Sequence, residues 1–170
     1  MNALAKTRTF MAAVLSLGCI ATSACAAEAI IRYPTGNDFP IAAAVEVPAT
    51  ANLVFFSGNV PPALDPQNQV KTYAQGSEAQ TQGVLESIEQ SLKRAGLGLG
   101  DIVKMQVYLV GDPALDGKMD FAGFMRAYTQ FFGTAQQPNL PARSVFQVAG
   151  LADERWLVEI EVIAVRQKPR

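Results

Sequence analysis

The sequence predicts an α+β fold, a mainly antiparallel or mixed sheet with two helices packed on one of its faces. Short segments rich in β-branched and aromatic residues stand near both ends of the chain, and amphipathic stretches of helical length lie between them. The last strand alternates in a way that leaves one of its faces with no helix to cover it.

Ile30 to Tyr33, Ala43 to Val47 and Asn52 to Ser57 read as short strands separated by turns rich in Pro, Gly, Asn and Asp. Ser57-Gly58-Asn59-Val60-Pro61-Pro62 ends this β region, and a long polar loop runs from Ala63 to Gln75. Ser77 and Gln80 predict a capping box for a helix that stops at Gly96. Val84, Leu85, Ile88, Leu92 and Ala95 share one face of it, while Glu89 and Lys93 stand four apart on the other. In the strand from Ile102 to Val110, Val103, Met105, Val107 and Leu109 alternate against Lys104, Gln106 and Tyr108. A second helix, about Met119 to Phe132, puts Phe121, Phe124, Met125, Tyr128, Phe131 and Phe132 on a stripe that reads as core.

Arg143 to Ala149 and Trp156 to Val165 close the domain. Val158, Ile160, Val162 and Ala164 point one way, and Leu157, Glu159, Glu161 and Ile163 the other. Two helices cover only one face, so the face bearing Glu159 and Glu161 meets solvent or another subunit. Its mixture of apolar and acidic residues favours a subunit.

The first residues read differently from the rest. Lys6 and Arg8, the apolar stretch Phe10 to Ala21 and Ala24-Cys25-Ala26 follow the order of a secretory signal peptide cleaved after Ala26. The apolar stretch is short for a membrane span, and Ser16 and Thr22 argue against a lipoprotein site at Cys19 or Cys25. A periplasmic or secreted protein of residues 27–170 is therefore expected, one domain without cysteine. Removing Lys6 and Arg8 from 14 basic side chains leaves 12 against 15 acidic ones, so the balance is acidic. With no basic-aromatic patch beside it, this counts against nucleic acid as partner.

There is no histidine. A Ser-His-Asp triad, a thiolate nucleophile and a Cys/His zinc site are all excluded, and no metal or cofactor is expected. Gly96-Leu97-Gly98-Leu99-Gly100 follows a helix rather than a strand and reads as a helix stop, not a phosphate cradle. The chemistry left belongs to carboxylates, arginine, hydroxyls, backbone groups and water.

That singles out Arg143 and Glu159, charged positions on otherwise apolar strands, because an ionised side chain in a sheet is costly without a partner or a charged ligand. A guanidinium offers paired donors that match a substrate carboxylate. The alternative is an ion pair of Arg143 with Glu159 or Glu161 that ties strands together.

Pro141-Ala142-Arg143-Ser144, followed by Val158-Glu159-Ile160-Glu161-Val162-Ile163-Ala164-Val165, resembles the closing signature of the Rid family of reactive-intermediate deaminases, the YjgF-type proteins. Ser57-Gly58-Asn59-Val60-Pro61, Gly100-Asp101-Ile102-Val103-Lys104 and Tyr128-Thr129-Gln130-Phe131-Phe132 are similar to its other landmarks, and the resemblance spans roughly Phe39 to Arg166. It implies a chorismate-mutase-like fold and a homotrimer with clefts between subunits. It further implies cofactor-free hydrolysis of enamines and imines such as 2-aminoacrylate to 2-oxo acids and ammonia, a 2-iminobutanoate/2-iminopropanoate-type deaminase.

In that reading Arg143 anchors the substrate carboxylate, Glu159 holds or activates the attacking water, and Ser57 and Gly58 help orient it. Where many family members read Ile-Gly-Pro-Tyr, this chain reads Ile41-Ala42-Ala43-Ala44, so Ala44 replaces a cleft tyrosine. Asn59 stands where glutamine is common and Met125 where asparagine is often found, changes expected to open the pocket. The alternative from a different class is a non-catalytic trimer that binds small carboxylates through Arg143.

Overall fold

The computed structural model describes residues 29–167, so the expected leader and its cleavage point lie outside the described residues. The strands are β1 (Ile31–Pro34), β2 (Ala42–Glu46), β3 (Asn52–Asn59), β4 (Ile102–Asp112), β5 (Lys118–Met119), β6 (Ala142–Val148) and β7 (Val158–Arg166), and the helices are α1 (Gly76–Arg94) and α2 (Phe121–Phe131). Six strands lie in the order β1-β2-β6-β4-β7-β3, with β5 paired to the end of β4. The β2–β6 and β4–β6 pairs are parallel and the others antiparallel, which makes the sheet mixed.

This order explains why one face is bare. Both β3 and β4 run antiparallel to β7, which lies between them, so β3 and β4 are parallel to each other. The chain passes from β3 through α1 to β4, then from β4 through α2 to β6, moving in the same direction across the sheet both times. Right-handed crossovers travelling the same way put their helices on the same side. Val84, Leu85, Ile88 and Leu92 of α1 and Phe124 and Tyr128 of α2 accordingly bury against Met105, Val107 and Leu109 of β4 and Val158, Ile160, Val162 and Ala164 of β7. Each of these larger apolar side chains contributes roughly 1.5–3 kcal/mol by leaving water.

The other face carries Gln106, Tyr108, Glu159, Glu161 and Ile163, and these alternate with the core positions as expected. It also exposes large apolar side chains: Phe55 is 71% exposed, and Leu53 and Phe146 are each 49% exposed. Phe146 stacks on Tyr108, whose hydroxyl donates to Glu161 and accepts from Gln106.

Local details depart from the sequence reading at several points. Ser77 does not cap α1: Gln75 holds the cap position without a side-chain bond, and the buried Ser77 hydroxyl has no hydrogen-bond partner among the described residues. Gly76, at φ +79°, lets the chain turn into the helix. Gln80 instead ties the loop before β7, donating to the carbonyls of Ala74 and Arg155 and accepting from the Leu157 N–H. Helix α2 begins later than expected because the Asp120 carboxylate accepts from the Gly123 N–H and caps it. A 3₁₀ turn at Pro113–Leu115 and the short strand β5 were not anticipated.

Candidate functional site

Arg143 enters through the register of β6. Its Cα pairs with Met105, a core position, so its side chain points toward the helices. There the guanidinium lies over the rings of Tyr128 (4.1 Å), Phe124 (5.0 Å) and Phe39 (5.5 Å). Its Nη2 donates to the Met125 thioether at 3.3 Å, a weak acceptor, and its buried Nη1 has no hydrogen-bond partner among the described residues. Burial pulls the arginine's pKa below its ordinary value, with the neighbouring Tyr128 acting in the opposite direction. The same burial pushes the Tyr128 phenol up to about 12, and its hydroxyl donates to the Pro40 carbonyl. Aromatic faces attract a cation without satisfying its N–H groups, so the box holds the charge in place and leaves donors for an anion.

Glu159 stands elsewhere. Its Cα pairs with Tyr108 on the bare face of the sheet. Its carboxylate packs against Gly58, where an added Cβ would come within 1.9 Å of Oε1. The bulge between Phe56 and Asn59 in β3 brings Gly58 there. Ser57 is exposed and lines a cavity of about 350 Å³ on the bare face together with Phe55, Lys104, Gln106 and Glu161. Ala44 is exposed on β2, at the far side of the sheet order, opposite Tyr33 of β1.

The structure therefore sets Gly58 against Glu159, places Ser57 with Glu161 in the cavity on the same face, and separates them from Arg143 by the thickness of the sheet. The strand-tying ion pair weighed from sequence is not formed within the chain. Among the described residues the salt bridges are Lys93–Glu89, Arg126–Glu78 and Arg155–Asp153. At the guanidinium, the Met125 thioether occupies the donor edge. Phe39, Phe124 and Tyr128 were missed as neighbours of the arginine. The signal was available: a lone arginine on a core-facing strand position needs an aromatic helix stripe or a carboxylate, and the stripe was there. Among the described residues no cluster of Cys, Asp or Glu could hold a metal ion.

Residues 35–166 match the protein family described as endoribonuclease L-PSP. The chain is 35% identical over 116 residues to the 2-iminobutanoate/2-iminopropanoate deaminase of Salmonella typhimurium, covering 68% of this chain and 81% of that protein. It is 38% identical over 120 residues to a RutC family protein of Haemophilus influenzae, again covering 68% and 81%. Among solved structures, E. coli TdcF with bound serine superposes with a TM-score of 0.55 at 34% identity, over 80% of this chain and 94% of TdcF. YyfB of Yersinia pestis, described as a Rid protein of unknown function, gives 0.60 at 25% identity, over 78% and 94%.

Proposed function

The chain belongs to the Rid (YjgF, L-PSP) family, and from that premise we propose that it is an imine/enamine deaminase converting reactive 2-imino acids to 2-oxo acids and ammonia. The observation that carries this reading is the guanidinium of Arg143, held by three rings with a buried donor left unpartnered and no carboxylate against it. A substrate carboxylate would take both Nη groups at once, displacing the Met125 thioether. The imine carbon two bonds away is already electrophilic, so a positioned water suffices as nucleophile. Glu159 takes a proton from that water as oxygen bonds to carbon and passes it to the imine nitrogen, which gives a carbinolamine. Glu159 then takes the remaining hydroxyl proton as the carbonyl forms and delivers it to nitrogen, so the carbon–nitrogen bond breaks and ammonia leaves. Gly58 leaves that carboxylate the space it occupies.

Arg143 and Glu159 lie on opposite faces of one sheet and can serve one substrate only if two copies supply them. We therefore place the reaction in clefts between subunits of a homotrimer. The exposed Phe55, Leu53 and Phe146 on the bare face support burial against another copy. The leader remains part of the proposal: cleavage after Ala26 and a periplasmic or secreted protein beginning at Ala27.

The deciding experiment generates 2-imino acids in situ with an amino-acid oxidase and measures 2-oxo acid release above the uncatalysed rate. Sedimentation equilibrium on the same sample should give a trimer, and a stable monomer at micromolar concentration would overturn the shared cleft. Binding of 2-oxo acids without turnover would instead make the protein a carboxylate binder.

A further inference from the structure

The walls around Arg143 also bear on which imino acid is accepted, an inference that rests on the deaminase reading above. Of the four groups against the guanidinium, Phe124 and Tyr128 are fully buried in the core, and the Tyr128 hydroxyl is committed to the Pro40 carbonyl. The two that reach the surface are Phe39, 40% exposed, and the half-buried Met125. A carboxylate seated on the guanidinium places the first atom of the α-carbon's substituent only three bonds from the anchored oxygens. That substituent must therefore lie beside Phe39 and Met125. Neither offers a hydrogen-bond donor or a strong acceptor, so a hydroxyl or charge brought there loses water without compensation. An alkyl or aryl group loses nothing and leaves water for apolar surface.

From these contacts we infer that Phe39 and Met125 are specificity-determining residues that select 2-imino acids with apolar alkyl or aromatic side chains over small or polar ones. Met125 suits this because its thioether lies on the donor edge at 3.3 Å, where a carboxylate oxygen outcompetes it easily. An unbranched side chain with three rotatable bonds can then swing aside and repack over the substrate's side chain. Phe39 adds an aromatic surface 5.5 Å from the guanidinium, on a backbone whose N–H the Asn37 side chain accepts.

The test compares kcat/KM for imines derived from phenylalanine and leucine with those derived from alanine and serine. It is paired with calorimetric binding of the corresponding products, phenylpyruvate and pyruvate, which does not depend on turnover. The expected result is a preference of at least tenfold for the aromatic and branched compounds in both readouts, the scale that one or a few methylenes give in an apolar pocket. Met125→Asn and Phe39→Ala should each reduce that ratio by about tenfold, and Met125→Leu should keep it. Equal or no binding of the two oxo acids by wild type, or an unchanged ratio in both variants, overturns the assignment. Selective binding of phenylpyruvate with no imine hydrolysed removes the deaminase reading and leaves this one standing. Hydrolysis with no side-chain preference does the reverse.

Discussion

Arg143→Met separates a residue kept for its chemistry from one kept for the fold, because its energetic terms nearly cancel in the folded state. The guanidinium gains attraction from Tyr128 at 4.1 Å, Phe124 at 5.0 Å and the partly exposed Phe39 at 5.5 Å. Such contacts give about 0.5–2 kcal/mol each depending on desolvation, so they amount to about 3 kcal/mol. Against this stands the unpartnered, buried Nη1, an unmet donor that costs about 1–3 kcal/mol. A methionine in its place restores sulfur–aromatic contacts worth about 0.3–1.5 kcal/mol each. Stability should therefore change by no more than about 1 kcal/mol, or about 4 °C in Tm for a domain of this size. Catalysis should change far more. Losing a bidentate charged anchor costs about 2–5 kcal/mol in transition-state binding, roughly a 30- to 5,000-fold fall in kcat/KM. Arg143→Lys should not restore the rate, since an ammonium lacks the paired planar donors. Imine hydrolysis and thermal melts on the same samples give both numbers. Near-wild-type kcat/KM in Arg143→Met, or a fall in Tm beyond about 10 °C, would refute the reasoning by showing the arginine to be idle or structural.

Gly58→Ala drives a Cβ to 1.9 Å from Glu159 Oε1, so the carboxylate must shift by about an ångström; kcat/KM should fall on the order of 100-fold while the melt stays within a few degrees. Asp153 is held at a pKa of about 2 chiefly by its hydrogen bonds from Arg155. Its folded pKa is depressed below the ordinary 3.8, so its contribution is present above that value and lost as pH falls toward about 2. Asp153→Asn should accordingly melt below wild type at pH 5–8, with the gap closing near pH 2, and a gap independent of pH would contradict the assignment. Ala44→Tyr should shift turnover toward small imines, and an unchanged ratio of small to bulky substrates would remove Ala44 from the cleft.

Much of the fold was legible because burial imposes periodicity. Val158, Ile160, Val162 and Ala164 must all leave water on one side, and a period of two is the only arrangement of a strand that allows it. The bare second face followed from counting helices. Caps were less legible because a motif names residues without giving the turn's starting point. Gln80 fits the pattern of a capping box, yet its amide is spent on Ala74, Arg155 and Leu157, partners that lie far apart in sequence and meet only in the fold.

The candidate site was legible in its residues and illegible in its arrangement, for a reason of strand geometry. Whether residues on different strands share a face depends on register, and a shift of one residue sends a side chain to the opposite face. Arg143 pairs with the core residue Met105, and Glu159 with Tyr108 on the bare face. The same register that puts Arg143 among aromatic rings thus puts Glu159 where another molecule can reach it. A buried cation with a free donor and a carboxylate on an exposed apolar face are each incomplete within one chain. The trimer proposed above completes both at once, by packing one copy's bare face against the Arg143 edge of the next.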